Sequence, residues 1–278
     1  MAGDLLAELR ATDRDRYLAC LLMPEPVQAD IAALYLFNAE IAAIRDRISE
    51  PLPGEIRLQW WRDVIAGERA DEATAHPVAG PLLDVIARYR LPADALDRLC
   101  EARLFDLYDD PMPDRAAYEL YAGETASALM QLSALILDPA GAPTLADASG
   151  HAGIAQSVAG HLMLLPLHHS RGQVFLPGDL LAATGLSRET FLEGEDSVRI
   201  GTVISGFVAF GREHLAASRA ATAKAGERGR LAQLPAAIAP SVFARAERLG
   251  ASCLRQSPQP SPLQRQWRLW RASRMGSI

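Results

Sequence analysis

The stretch AAIRDRISEP, Ala42 to Pro51, holds the carboxylate around which chemistry is easiest to build in this 278-residue chain. Two acids four residues apart on a helix stack on one face, and such pairs take hard cations such as Mg2+ through oxygen. Asp46 instead has Ala42 and Ala43 on its N-terminal side and is flanked by Arg45 and Arg47. Glu50 lies four residues further on, directly before Pro51. A residue in that position is pushed out of the helical region, which weakens it as a partner. Asp46 is thus open to three readings: an ion-paired surface carboxylate, half of a displaced metal pair with Glu50, or a polar group in a cavity shared with Asn38, two helical steps back.

The other reactive side chains give little. Lys224 is the only lysine and sits in a polar, Gly-flanked stretch, which argues against Schiff-base chemistry. Cys20, Cys100 and Cys253 are widely separated, lack CxxC or Cys/His spacing, and read as reduced structural thiols. His161, His168 and His169 invite a metal site, but adjacent helical residues point roughly 100° apart. No cysteine or nearby acid completes a tetrahedral set, Asp179 lying beyond a loop. These histidines are therefore expected to be structural or hydrogen-bonding, with His168 a candidate to meet Asp46 as an ion pair. Phosphate loops of the GxxxxGK[ST] type, GxGxxG turns, GxSxG elbows and HExxH helices are all absent.

The elements that must position these groups are helical almost throughout. Ile31, Leu34, Phe37, Ile41, Ile44 and Ile48 recur at spacings of three and four, which predicts one helix stripe ended by Pro51 and Pro53-Gly54. SGHAGIAQSVAGHLMLLPLHHS is apolar nearly all round and is expected to be buried. Hairpin dipeptides between alternating runs are missing, so the prediction is a single all-α domain over residues 1–258. Trp60 and Trp61 read as core with one half-exposed ring, and Tyr118 and Tyr121 as core or cavity aromatics. Residues 259–278 follow a Ser/Pro/Gln stretch and read as a loosely attached tail. Its Arg265, Arg268, Arg271 and Arg274, interleaved with Trp267, Leu269 and Trp270, suit anionic lipid or a docked partner equally.

Net charge of −6 excludes a global basic field for nucleic acid. The N-terminus lacks the apolar core of a signal peptide, and no window approaches the roughly 18 uninterrupted apolar residues of a membrane span. The expected location is cytoplasmic, with peripheral contact to an inner membrane through the tail.

The order of three segments is more specific. ALYLFNAEIAAIRD, LYAGETASAL and GIAQSVAGHLMLLPLHHSRGQVFLP, together with DRDRYL, resemble the squalene/phytoene synthase family over roughly residues 13 to 195. The resemblance implies an isoprenoid-synthase-type helical bundle with a central apolar cavity. It also implies two acidic Mg2+ motifs, which would fall on Ala42 to Asp46 and on Gly160 to His168. Ala42 and Ala43 replace the leading acids of the first. In the second, Leu164 and His168 stand at the aspartate positions, Met163 replaces arginine and Gly160 asparagine. Gln173 departs from the family's arginine in GQVFLP.

The chain further resembles a divergent branch of the family that includes a mitochondrial complex I assembly factor and also lacks the acids. That implies a non-catalytic assembly or prenyl-lipid-binding role, with no cofactor expected and a prenyl lipid or respiratory-complex subunit as partner. The alternative is a divergent prenyltransferase condensing farnesyl- or geranylgeranyl-type diphosphates. It would use Mg2+ and arginine clamps from Arg45, Arg57 and Arg171. Tyr35, Asn38 and Tyr121 complete the candidate cavity residues.

Overall fold

A computed structural model describes residues 2–222, 227–276 and 278; Lys224 lies outside the described residues. Helices follow one another without a strand among the described residues. The first half comprises α1 (Ala2–Thr12), α2 (Arg14–Leu21), α3 (Glu25–Ala42), α4 (Pro51–Ile65), α5 (Ala70–Ala75), α6 (Ala79–Tyr89) and α7 (Ala93–Ala102). The second comprises α8 (Arg115–Ala122), α9 (Ala128–Leu137), α10 (Ala146–Ser170), α11 (Gly178–Ala183), α12 (Arg188–Glu193), α13 (Ser197–Thr222), α14 (Glu227–Arg230), α15 (Ala239–Leu249) and α16 (Pro262–Met275).

Local chemistry sets the breaks. Asp13 caps α2 by accepting from the Arg16 amide at 3.0 Å, which satisfies one of the free N–H groups of the first turn. Pro26 sits in the first turn of α3, where its missing N–H costs nothing. Ile31, Leu34, Phe37 and Ile41 form the buried stripe of that helix as their spacing predicts, each contributing about 1.5–3 kcal/mol of burial.

The predicted continuation to Ile48 does not occur. The α-helix stops at Ala42 and tightens into a 3-10 turn, Arg45–Arg47, through bonds from Asp46 N–H to Ala43 O and from Arg47 N–H to Ile44 O. Ile48 and Glu50 are extended, Glu50 because Pro51 follows it. With the helix gone, the four-residue stacking that would pair Asp46 with Glu50 no longer applies.

Two apolar cores lie side by side. One gathers α1, α3, α4, α6, α7 and α9 around Phe37, Trp61 and Leu99; the other gathers α8, α10, α13 and α15 around Tyr118, Phe207 and Phe243. Between α8 and α9 the backbone takes a π-helical turn, Gly123–Ser127, and α10 crosses directly over it. Gly153 makes this crossing feasible: a Cβ there would stand 2.4 Å from the Ser127 backbone.

By length and composition Arg115–Leu137 would cross a membrane, but 67% of its apolar window is buried inside the fold. It is a core helix. Trp61 is in the core and Trp60 is half-buried, its indole N–H donating to Glu72 at 2.9 Å. All three cysteines are free and buried, and burial pushes Cys20 and Cys100 up to about 12. They hold no thiolate near neutral pH.

The segment after residue 258 is not loosely attached. Pro262–Met275 is a helix stopped at both ends, by a Ser261/Gln264 capping box and by left-handed Gly276. Leu269 and Ala272 pack against Ala19, Leu234 and Ala237. Arg265 donates to both carboxylate oxygens of Asp15, at 2.9 and 3.1 Å.

Candidate functional site

A cavity of about 430 Å3 lies between the two cores. From α3 it receives Asn38 and Ala42; from α8 and the π-turn, Tyr121, Thr125 and Ala126; from α10, Gln156, Gly160, His161, Met163 and Leu164. Pro235, Ile238, Ala239 and Val242 supply an apolar wall, and Ser257 and Gln259 a polar edge. Two sequence segments more than a hundred residues apart, each carrying positions that the resemblance assigns to metal ligands, therefore face one space. There they present a methyl group at Ala42, a bare backbone at Gly160 and an isobutyl group at Leu164.

Carboxylates do reach the cavity, from an unexpected place. Asp13 and Asp15 line it from the start of α2, together with Arg16. Asp13 accepts from Arg16 Nη1 at 2.6 Å, and Asp15 is held by Arg265. Burial raises the Asp15 carboxyl, and the Arg265 charge works against that rise. DRDRYL, with alternating acids and arginines at a helix start, was the sequence signal for this cluster; it marked the family without marking the site.

Part of the cavity wall is a polar network. Arg103 Nη1 donates to Asp106 at 3.0 Å and to the Tyr121 hydroxyl at 2.9 Å, and its Nη2 reaches Asn38 Oδ1 at 3.4 Å. Tyr121 in turn donates to Asp106 Oδ1 at 2.7 Å. Burial pushes the Tyr121 phenol up, so it remains a donor. Of the predicted residues, Asn38, Ala42, Tyr121 and Leu164 are thus brought together; Arg103 and Asp106 pair locally, three residues apart, but their meeting with Tyr121 and Asn38 spans 15 to 65 residues and had no local signal.

Several candidates lie elsewhere. Tyr35 is 1% exposed in the core, its ring 5.7 Å from the Arg16 guanidinium, and does not line the cavity. Ala43 caps the C-terminus of α3 outside the lining. Asp46 is half-exposed and accepts from Arg171 Nη1 at 2.5 Å. The expected pair with His168 is not formed, because Arg171, one turn further along the chain, takes the carboxylate. Arg45 Nη2 faces Asp109 at 3.5 Å, and Gln173 also donates to Asp109 at 3.2 Å. Arg57 lines a separate groove with Glu40, Arg47, Trp60, Trp61 and His76. Arg45, Arg57 and Arg171 therefore do not form one clamp.

The histidines behave as hydrogen-bonding and packing residues. His161 Nδ1 is 2.7 Å from the Tyr118 hydroxyl, and its ring stacks on Phe175 at 4.6 Å between centroids. Burial, then the neighbouring His168 and Arg103, holds its imidazole well below the ordinary value. His168 packs against Phe175 behind the cavity wall; burial, with Arg171 adding to it and Asp46 opposing, lowers it to about 4. His169 turns away to the Leu192 carbonyl at 2.9 Å, as its position on the helix requires. No group of three or more His, Cys, Asp or Glu among the described residues is arranged to hold a metal ion.

The helical order and the cavity between two cores define an isoprenoid-synthase type of fold. A dehydrosqualene synthase in complex with a ligand superposes with a TM-score of 0.82 at 13% identity, covering 98% of this chain and 95% of that one. The squalene synthase of Alicyclobacillus acidocaldarius gives 0.72 at 19%, covering 89% and 94%.

The model for squalene/phytoene synthase matches residues 9–271, and the chain belongs to that family. Similar curated proteins are NADH dehydrogenase (ubiquinone) complex I, assembly factor 6, from Rattus norvegicus and from Homo sapiens. Each is 33% identical, over 212 and 213 residues respectively, covering 76% of this chain and 63% of that protein. A Drosophila melanogaster homolog is 27% identical over 197 residues, 66% of this chain and 56% of its own. The chain thus spans less than two thirds of the length of these relatives.

Proposed function

We propose that this family member does not condense prenyl diphosphates and acts as an assembly factor for a respiratory complex I, its cavity retained for a prenyl lipid. The observation that carries the reading is the composition of the cavity where the two segments meet. Mg2+ demands octahedral oxygen ligands and gives up water reluctantly. Alanine, glycine and leucine offer no donor at those positions, and the two carboxylates that reach the cavity are each engaged by an arginine. The residues do not fit the bridging of a diphosphate by several Mg2+ ions. Similarity to proteins named as complex I assembly factor 6 supports the assembly role. The apolar wall of Ile238, Ala239, Val242 and Leu164 is suited to an isoprenoid chain.

The test has two arms. Purified protein incubated with labelled farnesyl diphosphate and Mg2+ is expected to release no diphosphate; turnover, lost on replacing Asp13 and Asp15 by alanine, would establish the transferase alternative. Deletion of the gene in its native host is expected to lower assembled complex I on native gels while leaving isoprenoid products unchanged. The converse pattern would overturn the proposal.

A further inference from the structure

Helix α16 has two unlike faces. Arg265, Leu269 and Ala272 point inward, to Asp15 and to the small core around Ala19 and Leu234. On the opposite face Leu263, Trp267 and Trp270 stand four and then three residues apart, which aligns them in one stripe, with Arg274 next in the same row. Leu263 is 78% exposed and both tryptophans 51%. Two indoles left half in water on a helix that had an inward face available for them are outside ordinary core packing. Arg271 flanks the stripe, with its guanidinium 5.3 Å from the Trp267 ring, and Arg268 approaches the same ring at 6.0 Å.

The charge on this helix is as uneven as its hydropathy. α16 carries four arginines and no acid in a protein of net charge −6. Among the described residues only Arg265 of the four has a carboxylate within ion-pair distance. Arg268, Arg271 and Arg274 have no carboxylate at that distance among the described residues. Cations of this kind beside a Trp/Leu stripe match the headgroup layer of an anionic bilayer, where indoles sit at the boundary and arginines meet phosphate.

We infer that the outer face of α16 docks the protein on a membrane surface rich in anionic phospholipid, inserting Leu263, Trp267 and Trp270 and pairing Arg271 and Arg274 with lipid phosphates. Arg265 ties the inward face of this helix to Asp15 at the cavity edge, and Gln259 just before it lines the cavity, so the docked helix is joined directly to that edge. The inference does not depend on what the cavity binds or on the assembly role.

Flotation of the full chain with phosphatidylcholine vesicles containing about one-third phosphatidylglycerol tests it. The protein is expected to float with these vesicles, much less with pure phosphatidylcholine, and less as salt rises. Trp267→Ala with Trp270→Ala, and separately Arg271→Glu with Arg274→Glu, are each expected to weaken binding about tenfold or more. All four side chains are exposed, so unchanged thermal melts are expected to confirm the fold; the charge variant remains a test if the tryptophan variant unfolds. Absence of flotation with anionic vesicles, as for a face that docks a protein, would overturn the inference. So would binding equal to wild type in both folded variants.

Discussion

His168 gives the sharpest quantitative expectation. Its imidazole is 8% exposed, packed on Phe175 at 4.6 Å, and held at about 4 by burial and by the nearby Arg171 charge. The folded state therefore resists protonation that the unfolded chain accepts near the ordinary histidine value of about 6.5. Between these two values the unfolded state binds more protons, so stability falls as pH drops from about 6.5 toward 4 and is fully present above that window. For one such group the loss between roughly pH 7 and pH 5 is about 2 kcal/mol, approaching about 3 kcal/mol at pH 4.

The comparison is between wild type and His168→Leu, which keeps an apolar side chain of similar bulk against Phe175. Urea unfolding of both proteins across this pH range reads chiefly His168, because His161 and His214 stay in both and burial, the largest cause of lowering for each, is kept. The wild type should lose about 2 kcal/mol more than the variant on going from pH 7 to pH 5. Parallel stability curves would mean that the imidazole takes its proton without penalty, and the buried, neutral placement would be wrong.

Two further outcomes follow from the packing. Gly153→Ala forces a Cβ to within 2.4 Å of the Ser127 backbone, which has no flexible side chain to yield; a loss of at least about 1–3 kcal/mol is expected in chemical denaturation. Asp46→Ala removes an ion pair whose side chains are 52% and 37% exposed, so stability should change by less than about 1 kcal/mol, and a larger loss would show that the pair secures the end of α3.

The all-helical character and the buried stripe of α3 were legible in the chain itself. Each rests on residue type and short-range spacing: apolar residues three and four apart must share a face whatever surrounds them. The break at Ala42 was not legible. Ile44 and Ile48 continue the helical period, but packing and the extended residues before Pro51 stop the helix early and carry Asp46 to the surface. Asp46 therefore belongs to Arg171 and lies off the cavity, although its motif neighbour Ala42 lines it.

The same limit explains the cavity. Composition determined that Ala42, Gly160 and Leu164 offer no metal donors; only the tertiary structure decided that they face one another, and that Asp13, Asp15 and Arg103 join them. Those partners come from segments separated by up to 250 residues, as with Arg265 and Asp15. No local spacing encodes such a meeting, because it is fixed by how the two cores and the C-terminal helix bury their apolar faces together.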